Sequence, residues 1–170
     1  MQEIKNLKMI LTVSKRNEAI DKISRAYFKL LTSIDWNDSI LIYGLREGLD
    51  KFLSNAFIKE YGVRKYMSGD YYSAKALKRV KRKNYTNLVY EHMIPKKVYI
   101  QIDCEKQARN GELTVEYIKA KLHSFWHIAI VLKEEEKLLN RTKMPDNWDE
   151  KDILSRYSEK GIELLRIISD

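Results

Sequence analysis

Apolar residues recur at three- and four-residue steps over much of the chain, which is the spacing of one buried helix face. The pattern predicts helix over residues 2–33 and a second long helix from Ser39 to about Tyr61. Ser14 is a candidate N-cap inside the first stretch, and Gly62 ends the second as a C′ glycine. Shorter helices are predicted over residues 74–83, 95–109, 114–124, 133–139 and 150–168.

Two segments have the pattern of strands instead. Leu88–His92 is a β-type apolar segment, and residues 126–132 form a nearly continuous apolar run. The two segments are natural partners. The sequence therefore predicts an α+β fold that is predominantly α, with a helical body and a small two-stranded β element at about 87–92 and 126–132.

Length and composition fit one domain over residues 1–170. Within it we distinguish a helical N-terminal part (1–62), a basic segment with the candidate site (63–132) and C-terminal helices (133–170). Six glycines and two prolines favour helices, since β-rich proteins use many more in their turns. The single cysteine, Cys104, excludes an intrachain disulfide and a cysteine zinc cluster. No signal peptide or run of eighteen apolar residues occurs, so we expect a cytoplasmic protein without a membrane partner.

Positive charge is concentrated in one part of the chain. Between residues 61 and 100 there are ten lysines and arginines and two acids, a net charge of +8 that equals the net charge of the whole chain. A polyanion is the natural partner for such a segment, and nucleic acid, DNA or RNA, is the commonest. The candidate nucleic-acid-binding residues are Arg64, Lys65, Lys75, Lys78, Arg79, Lys81, Arg82, Lys83, Lys96 and Lys97.

Tyrosines lie among these cations. Tyr66, Tyr71 and Tyr72 follow Arg64 and Lys65 in a stretch where the helical pattern is lost and a loop is predicted. Such rings stack on bases while the cations hold phosphates. The alternative is that the tyrosines pack against the helical body and the charges are only solvated.

The helix predicted over residues 74–83 has only Leu77 and Val80 as large apolar residues. It is too polar for the core, so we expect it on the surface. Its cations either face phosphates or form an ordinary solvated surface.

An acid and an imidazole end the first predicted strand. Glu91 and His92 are followed by Pro95, and this E-H-M-I-P segment resembles the HNH or His-Me finger nucleases, in which a hairpin strand ends in an acid–histidine pair. The resemblance implies that His92 is a general base that activates water and that Glu91 is a ligand of a divalent metal, Mg²⁺ or similar. If the two strands pair, His127 could lie across from His92 as a second ligand. The alternative is a strand-end histidine with a structural role.

Three functions are compatible with these features. The first is a metal-dependent, HNH-like endonuclease. The second is a non-catalytic nucleic-acid-binding module. The third is a phage, mobile-element or defence-related factor that inhibits or assists a nucleic-acid-bound protein machine. The chain has no G-x-S-x-G segment, phosphate loop or dinucleotide fingerprint, which argues against a nucleophilic hydrolase and against nucleotide-driven chemistry.

Overall fold

Helices are the main elements, as the periodicity predicts. The structure is a computed structural model that describes residues 11–167. In chain order its helices are α1 (Val13–Thr32), α2 (Ser39–Tyr61), α3 (Ala74–Lys81), α4 (Ile102–Arg109), α5 (Val115–Phe125), α6 (Lys133–Glu136) and α7 (Ser155–Ser158). A 3-10 turn at Lys65–Met67 and a π-helical turn at Lys97–Gln101 complete the helical elements of this part of the chain. The helix predicted over residues 2–10 lies outside the described residues.

The ends of the first two helices follow from their capping residues. The Thr12 hydroxyl caps α1 by accepting a hydrogen bond from the Lys15 backbone N–H at 3.1 Å, so Ser14 lies inside the first turn and is not the cap. Asp38 caps α2 through two backbone N–H groups. Gly62 ends α2 with a φ of 66°, as predicted, because glycine adopts this left-handed conformation without strain.

The sheet has four strands within residues 11–167, so the prediction of a two-stranded element is wrong. The strands are β1 (Tyr71–Ser73), β2 (Leu88–His92), β3 (Ile128–Leu132) and β4 (Leu164–Arg166), in the order β2-β3-β1-β4. β3 pairs antiparallel with β2, which confirms the predicted pair, and parallel with β1, which in turn pairs antiparallel with β4. The coarser prediction, an α+β fold with helices predominant, is confirmed.

The long C-terminal helix predicted over residues 150–168 is wrong. Up to residue 167, only Ser155–Ser158 is helical there, and the chain turns at Gly161, whose φ is 66°, before it enters β4. Most of the apolar residues that suggested a helix face pack in a separate cluster on the sheet instead, whereas Leu165 packs against the larger cluster. Tyr157 and Ile162 belong to the separate cluster, together with Met93 and Leu139.

The core has two layers, one on each face of the sheet. The larger layer lies between the sheet and α1, α2, α3 and α5, and includes Ile20, Leu53, Leu77 and Trp126. The smaller layer covers the opposite face under the C-terminal turns. All five residues of β3 are buried, so this strand is covered on both faces. None of the helices within residues 11–167 is long and apolar enough to cross a membrane.

Candidate functional site

Glu91 and His92 lie at the end of β2, an edge strand, and their side chains enter different layers. Glu91 pairs with Ala129, which belongs to the smaller layer, and His92 pairs with Ile128, which belongs to the larger one. Successive residues of a strand point to opposite faces of the sheet. The pair is therefore adjacent in sequence but divided between two environments.

His92 is half-buried, and its imidazole contacts side chains of neighbouring elements. Its Nε2 lies 3.2 Å from the Ser54 hydroxyl of α2, and its ring is edge-on to Trp126 at a centroid distance of 4.8 Å. Burial, reinforced by the positive charges of Lys96, Arg156 and Lys65, lowers the pKa of His92 to about 3. The imidazole is thus neutral at pH 7 but a weak base, well below the pKa near the working pH that suits a general base.

Glu91 is paired with a buried arginine. The Arg156 guanidinium donates to the Glu91 carboxylate, to the His92 carbonyl oxygen at 3.1 Å and to the Asn140 carbonyl oxygen at 3.0 Å. Arg156 is only 2% exposed. Burial raises the pKa of Glu91, and the Arg156 charge opposes that rise. The guanidinium occupies Oε1 of Glu91, so a metal would have to compete with it for that oxygen.

A second ion pair lies next to the first. Arg141 pairs with the buried Glu136, and both act electrostatically on Glu91. Sequence reasoning missed these partners because Arg156 falls within the stretch predicted as one helix, where an arginine is ordinarily solvent-facing. Arg156 is distant from Glu91 along the chain, so no local sequence pattern indicates that the two residues pair.

His127 does not lie across from His92, so that expectation is wrong. The residue opposite His92 is Ile128, and the His127 carbonyl oxygen instead accepts a hydrogen bond from the Met93 N–H at 2.9 Å. The His127 side chain lines a cavity of about 130 Å³ with Val13, Arg16, Asp70, Tyr71 and Arg166. Burial and, to a smaller extent, the positive charge of Arg16 together lower the pKa of His127 to about 4.

Glu91 and His127 thus have different charged neighbours, and the structure does not join them as ligands. The charges acting on Glu91 are those of Arg156, Glu136 and Arg141, whereas those acting on His127 are Arg16 and Arg166. Within residues 11–167, no three His, Cys, Asp or Glu side chains converge in a way that could hold a metal ion.

Most of the predicted nucleic-acid-binding cations are on the surface. α3 attaches to the larger layer through Ala76, Leu77 and Val80, as its sparse apolar stripe predicts. Its exposed cations and those just beyond it are Lys75, Lys78, Lys81, Arg82 and Lys83. Arg79 is half-buried and donates to the Thr86 carbonyl oxygen at 2.9 Å, which ties the end of α3 to the following loop.

Two tyrosines form a stack beside α3. The rings of Tyr66 and Tyr85 lie 6.2 Å apart with an angle of 18° between their planes. The guanidinium of Arg64, which is exposed, lies 5.5 Å from the Tyr85 ring, and the Lys65 ammonium lies 5.4 Å from the Tyr90 ring. We call this surface the basic face; it consists of Arg64, Lys65, Tyr66, Tyr85, Lys78, Arg79, Lys81, Arg82 and Lys83.

The other two tyrosines have structural positions. Tyr72 is 3% exposed, and its hydroxyl donates to the Tyr66 carbonyl oxygen at 3.2 Å. Tyr71 is half-buried beside the smaller layer. The packing alternative is therefore correct for these two rings. Tyr85, which the sequence argument left out, takes their place next to Tyr66.

Lys96 and Lys97 are bound to α2. The Lys96 ammonium donates to the Asp50 carbonyl oxygen, and burial lowers the pKa of this lysine. Lys97 lies 3.6 Å from the Asp50 carboxylate. Both lysines therefore have partners within the protein.

No protein family, curated protein or solved structure matches this chain.

Proposed function

We propose that the protein binds nucleic acid through the basic face and that this binding does not require cleavage. The observation that carries the proposal is the Tyr66–Tyr85 stack with the exposed Arg64 and Lys65 next to its rings, joined to the exposed cations of α3 through the Arg79–Thr86 hydrogen bond beside Tyr85. Aromatic rings next to lysines and arginines bind single strands by stacking on bases and by pairing with phosphates. Cations alone bind duplex backbones.

The environments of Glu91 and His92 favour binding over catalysis. His92 has a hydrogen-bonding partner in Ser54 and a pKa lowered to about 3, and Glu91 is held by Arg156. Both side chains already have roles in holding β2 against its two layers. The basic face needs neither of them to bind a polyanion.

The test compares two sets of four substitutions with the same change in charge. The first converts Arg64, Lys65, Arg82 and Lys83 to Gln. The matched control converts Lys137, Lys143, Lys151 and Lys160 to Gln, which are exposed cations of the C-terminal part. Affinities for a fluorescent duplex and a single-stranded oligonucleotide are measured by anisotropy at several salt concentrations.

We expect the first set to weaken binding and to lower the slope of log K against log salt by about 0.9 for each duplex phosphate contact that is lost. The control should leave the slope unchanged. In the same titration, Tyr66→Leu should weaken single-strand binding more than duplex binding, because only unpaired bases can stack on the ring. Equal slopes for the two charge sets would show that the basic face is not the binding surface.

A metal-dependent HNH-like nuclease is the second proposal, and one observation favours it. His92 is close enough to the basic face for the charge of Lys65 to act on its imidazole. A phosphate bound at Lys65 would therefore lie on the His92 side of β2. In this version Glu91 would be a ligand of a divalent metal such as Mg²⁺, which would supply Lewis-acid polarisation of the phosphate, and the Arg156 guanidinium would compete for that carboxylate.

A protein partner that is itself bound to nucleic acid, as for a phage, mobile-element or defence factor, fits the same basic face. In that case affinity for free nucleic acid is weak and the four-Gln set reduces binding to the partner complex instead. Salt-dependent binding to free oligonucleotides separates this version from the first.

A further inference from the structure

The first half of α2 projects from the body with almost all of its apolar side chains exposed. No residue from Ser39 to Gly48 is buried, whereas Leu49, Leu53, Phe57 and Tyr61 of the second half are buried. Ile40 is 84% exposed and Tyr43 is 86% exposed. Soluble proteins seldom leave such side chains clustered in water unless another surface covers them.

The exposed apolar residues of this half-helix form one group. Of the seven exposed large hydrophobic residues in the described part of the chain, four lie on it. We call them the α2 surface; they are Ile40, Leu41, Tyr43 and Leu45. Val98 and Ile102 are not part of it, because the ion pairs Lys97–Asp50 and Arg46–Glu105 join their segment to the other side of α2.

Two glycines give this surface room for another helix. Gly44 and Gly48 are one turn apart on the same side of α2 as Ile40 and Leu41, and a Cβ added at either glycine would meet nothing within 4 Å. Neither glycine has a positive φ. Within the described chain, neither close packing nor backbone conformation therefore requires glycine at these positions, although each glycine makes the helix less stable than alanine would. A second helix could approach the α2 backbone closely at these positions.

We infer that the α2 surface is covered by a second copy of this chain, with the two α2 helices antiparallel about a two-fold axis near Gly44 and Leu45. Residues 39–51 carry two cations and two acids, so this surface is neutral in a chain whose net charge is +8. Two copies can meet there without the repulsion that their basic faces would cause.

The antiparallel arrangement also matches charges at the ends of the contact. Asp38 and Lys51 are equally distant in sequence from the bond between Gly44 and Leu45. A two-fold axis there brings Asp38 of one copy beside Lys51 of the other, twice, as an isologous interface requires. Covering these four apolar side chains would remove about 400 Å² from each chain, or about 800 Å² in total, which is the size of a weak, transient interface. We therefore expect a weak, reversible dimer.

The test is sedimentation velocity of the full chain over a wide concentration range, with three variants. Ile40→Glu puts a charge on the surface but suits the first turn of α2, where acids are favoured, so the monomer should fold. Gly44→Leu fills the space between the helices while improving helix propensity within the monomer. Leu138→Glu is the matched control, since Leu138 is 56% exposed and lies outside the α2 surface.

We expect Ile40→Glu and Gly44→Leu each to raise the dissociation constant at least tenfold, and Leu138→Glu to leave it unchanged. Gly44→Cys should form an intermolecular disulfide on oxidation, whereas the exposed Ser124→Cys should not; the native Cys104 is buried and should not interfere. Circular dichroism checks the fold of each variant.

A chain that stays monomeric at its highest soluble concentration would overturn the inference. So would a dimer that is insensitive to Ile40→Glu and Gly44→Leu, because another surface would then form it. A monomer that binds phosphatidylcholine–phosphatidylserine vesicles through Ile40 would also overturn it and assign the surface to a membrane. None of these outcomes alters the four-Gln test of the basic face.

Discussion

Replacing Glu91 by Gln tests whether its carboxylate serves the fold or is held for a metal. The substitution keeps the size of the side chain and removes its charge. Arg156 would keep its bonds to the carbonyl oxygens of His92 and Asn140 but would lose the charge that compensates it in a site where its side chain is 3% exposed. Glu91 itself is 15% exposed at the side chain, so solvent screens the pair only weakly.

Breaking a buried ion pair by removing one partner costs about 3–5 kcal/mol, because the other charge stays buried. Gln can still accept one hydrogen bond from Arg156, so we expect about 3 kcal/mol for Glu91→Gln. That loss is large for a domain whose total stability is about 5–15 kcal/mol. Urea denaturation at pH 7, followed by tryptophan fluorescence, measures it.

A double-mutant cycle with Arg156→Met isolates the pair. Methionine keeps much of the apolar stem, so the double variant leaves neither charge unpaired and should be more stable than the sum of the two single losses predicts. The control is Lys22→Met, which removes exposed ion pairs with Glu18 and Glu60 and should change the urea midpoint little. If Glu91→Gln leaves stability unchanged or raises it, Arg156 does not hold this carboxylate, and the metal-ligand role gains support.

Two further predictions concern His92. The pKa of His92 falls from 6.5 in the unfolded chain to about 3 in the fold, so the contribution of His92 to stability is present above pH 6.5 and is lost as the pH falls toward 3. The urea midpoints of the wild type and of His92→Asn, measured across pH 4–7, should therefore converge as the pH falls. Parallel curves would contradict this prediction. If the protein binds nucleic acid without cleaving it, oligonucleotides incubated with Mg²⁺ or Mn²⁺ should stay intact in the presence of the wild type and of His92→Ala. A cleavage activity that His92→Ala lowers by about 10²–10⁴ would instead establish the nuclease.

The elements that the sequence predicted well are those with long or continuous apolar patterns. α1 repeats its buried face over about four turns, from Arg16 to Leu31, and α2 over about three, from Leu49 to Tyr61, while β3 is a run of apolar residues that is buried on both faces. β2 was recognisable by the same kind of pattern, and β3 was predicted as its partner because few other segments had the pattern of a strand. In these elements local preference and tertiary packing agree.

The elements that it missed are short. β1 and β4 have three residues each, too few for an alternating pattern to stand out, and their conformation is decided by pairing with one another and with β3. β4 also lies where Ile162 and Leu165 match helical spacing. Tertiary contacts override local preference most easily in such short segments.

The candidate site also has features that could be predicted from the sequence and features that could not. The cations of the basic face could be predicted because their concentration is a property of composition, and α3 could be placed on the surface because it has few apolar residues. The Glu91–Arg156 pair could not, since it joins residues 65 positions apart in the chain. Tyr85 was passed over because its neighbour Tyr66 lies on the far side of α3 in the sequence.

The alternation of β2 limits what Glu91 and His92 can do together. His92 lies in the larger layer, with Trp126 and Ser54, and this is also the layer against which α3 and the Tyr66–Tyr85 stack pack. Glu91 lies across the sheet with Arg156. β3 pairs with β2 and is buried on both faces, so the sheet separates the two layers and is closed to solvent along this strand pair. A phosphate held at the basic face therefore meets the imidazole side of β2 and not the carboxylate side, and any chemistry there would have to begin with His92 alone.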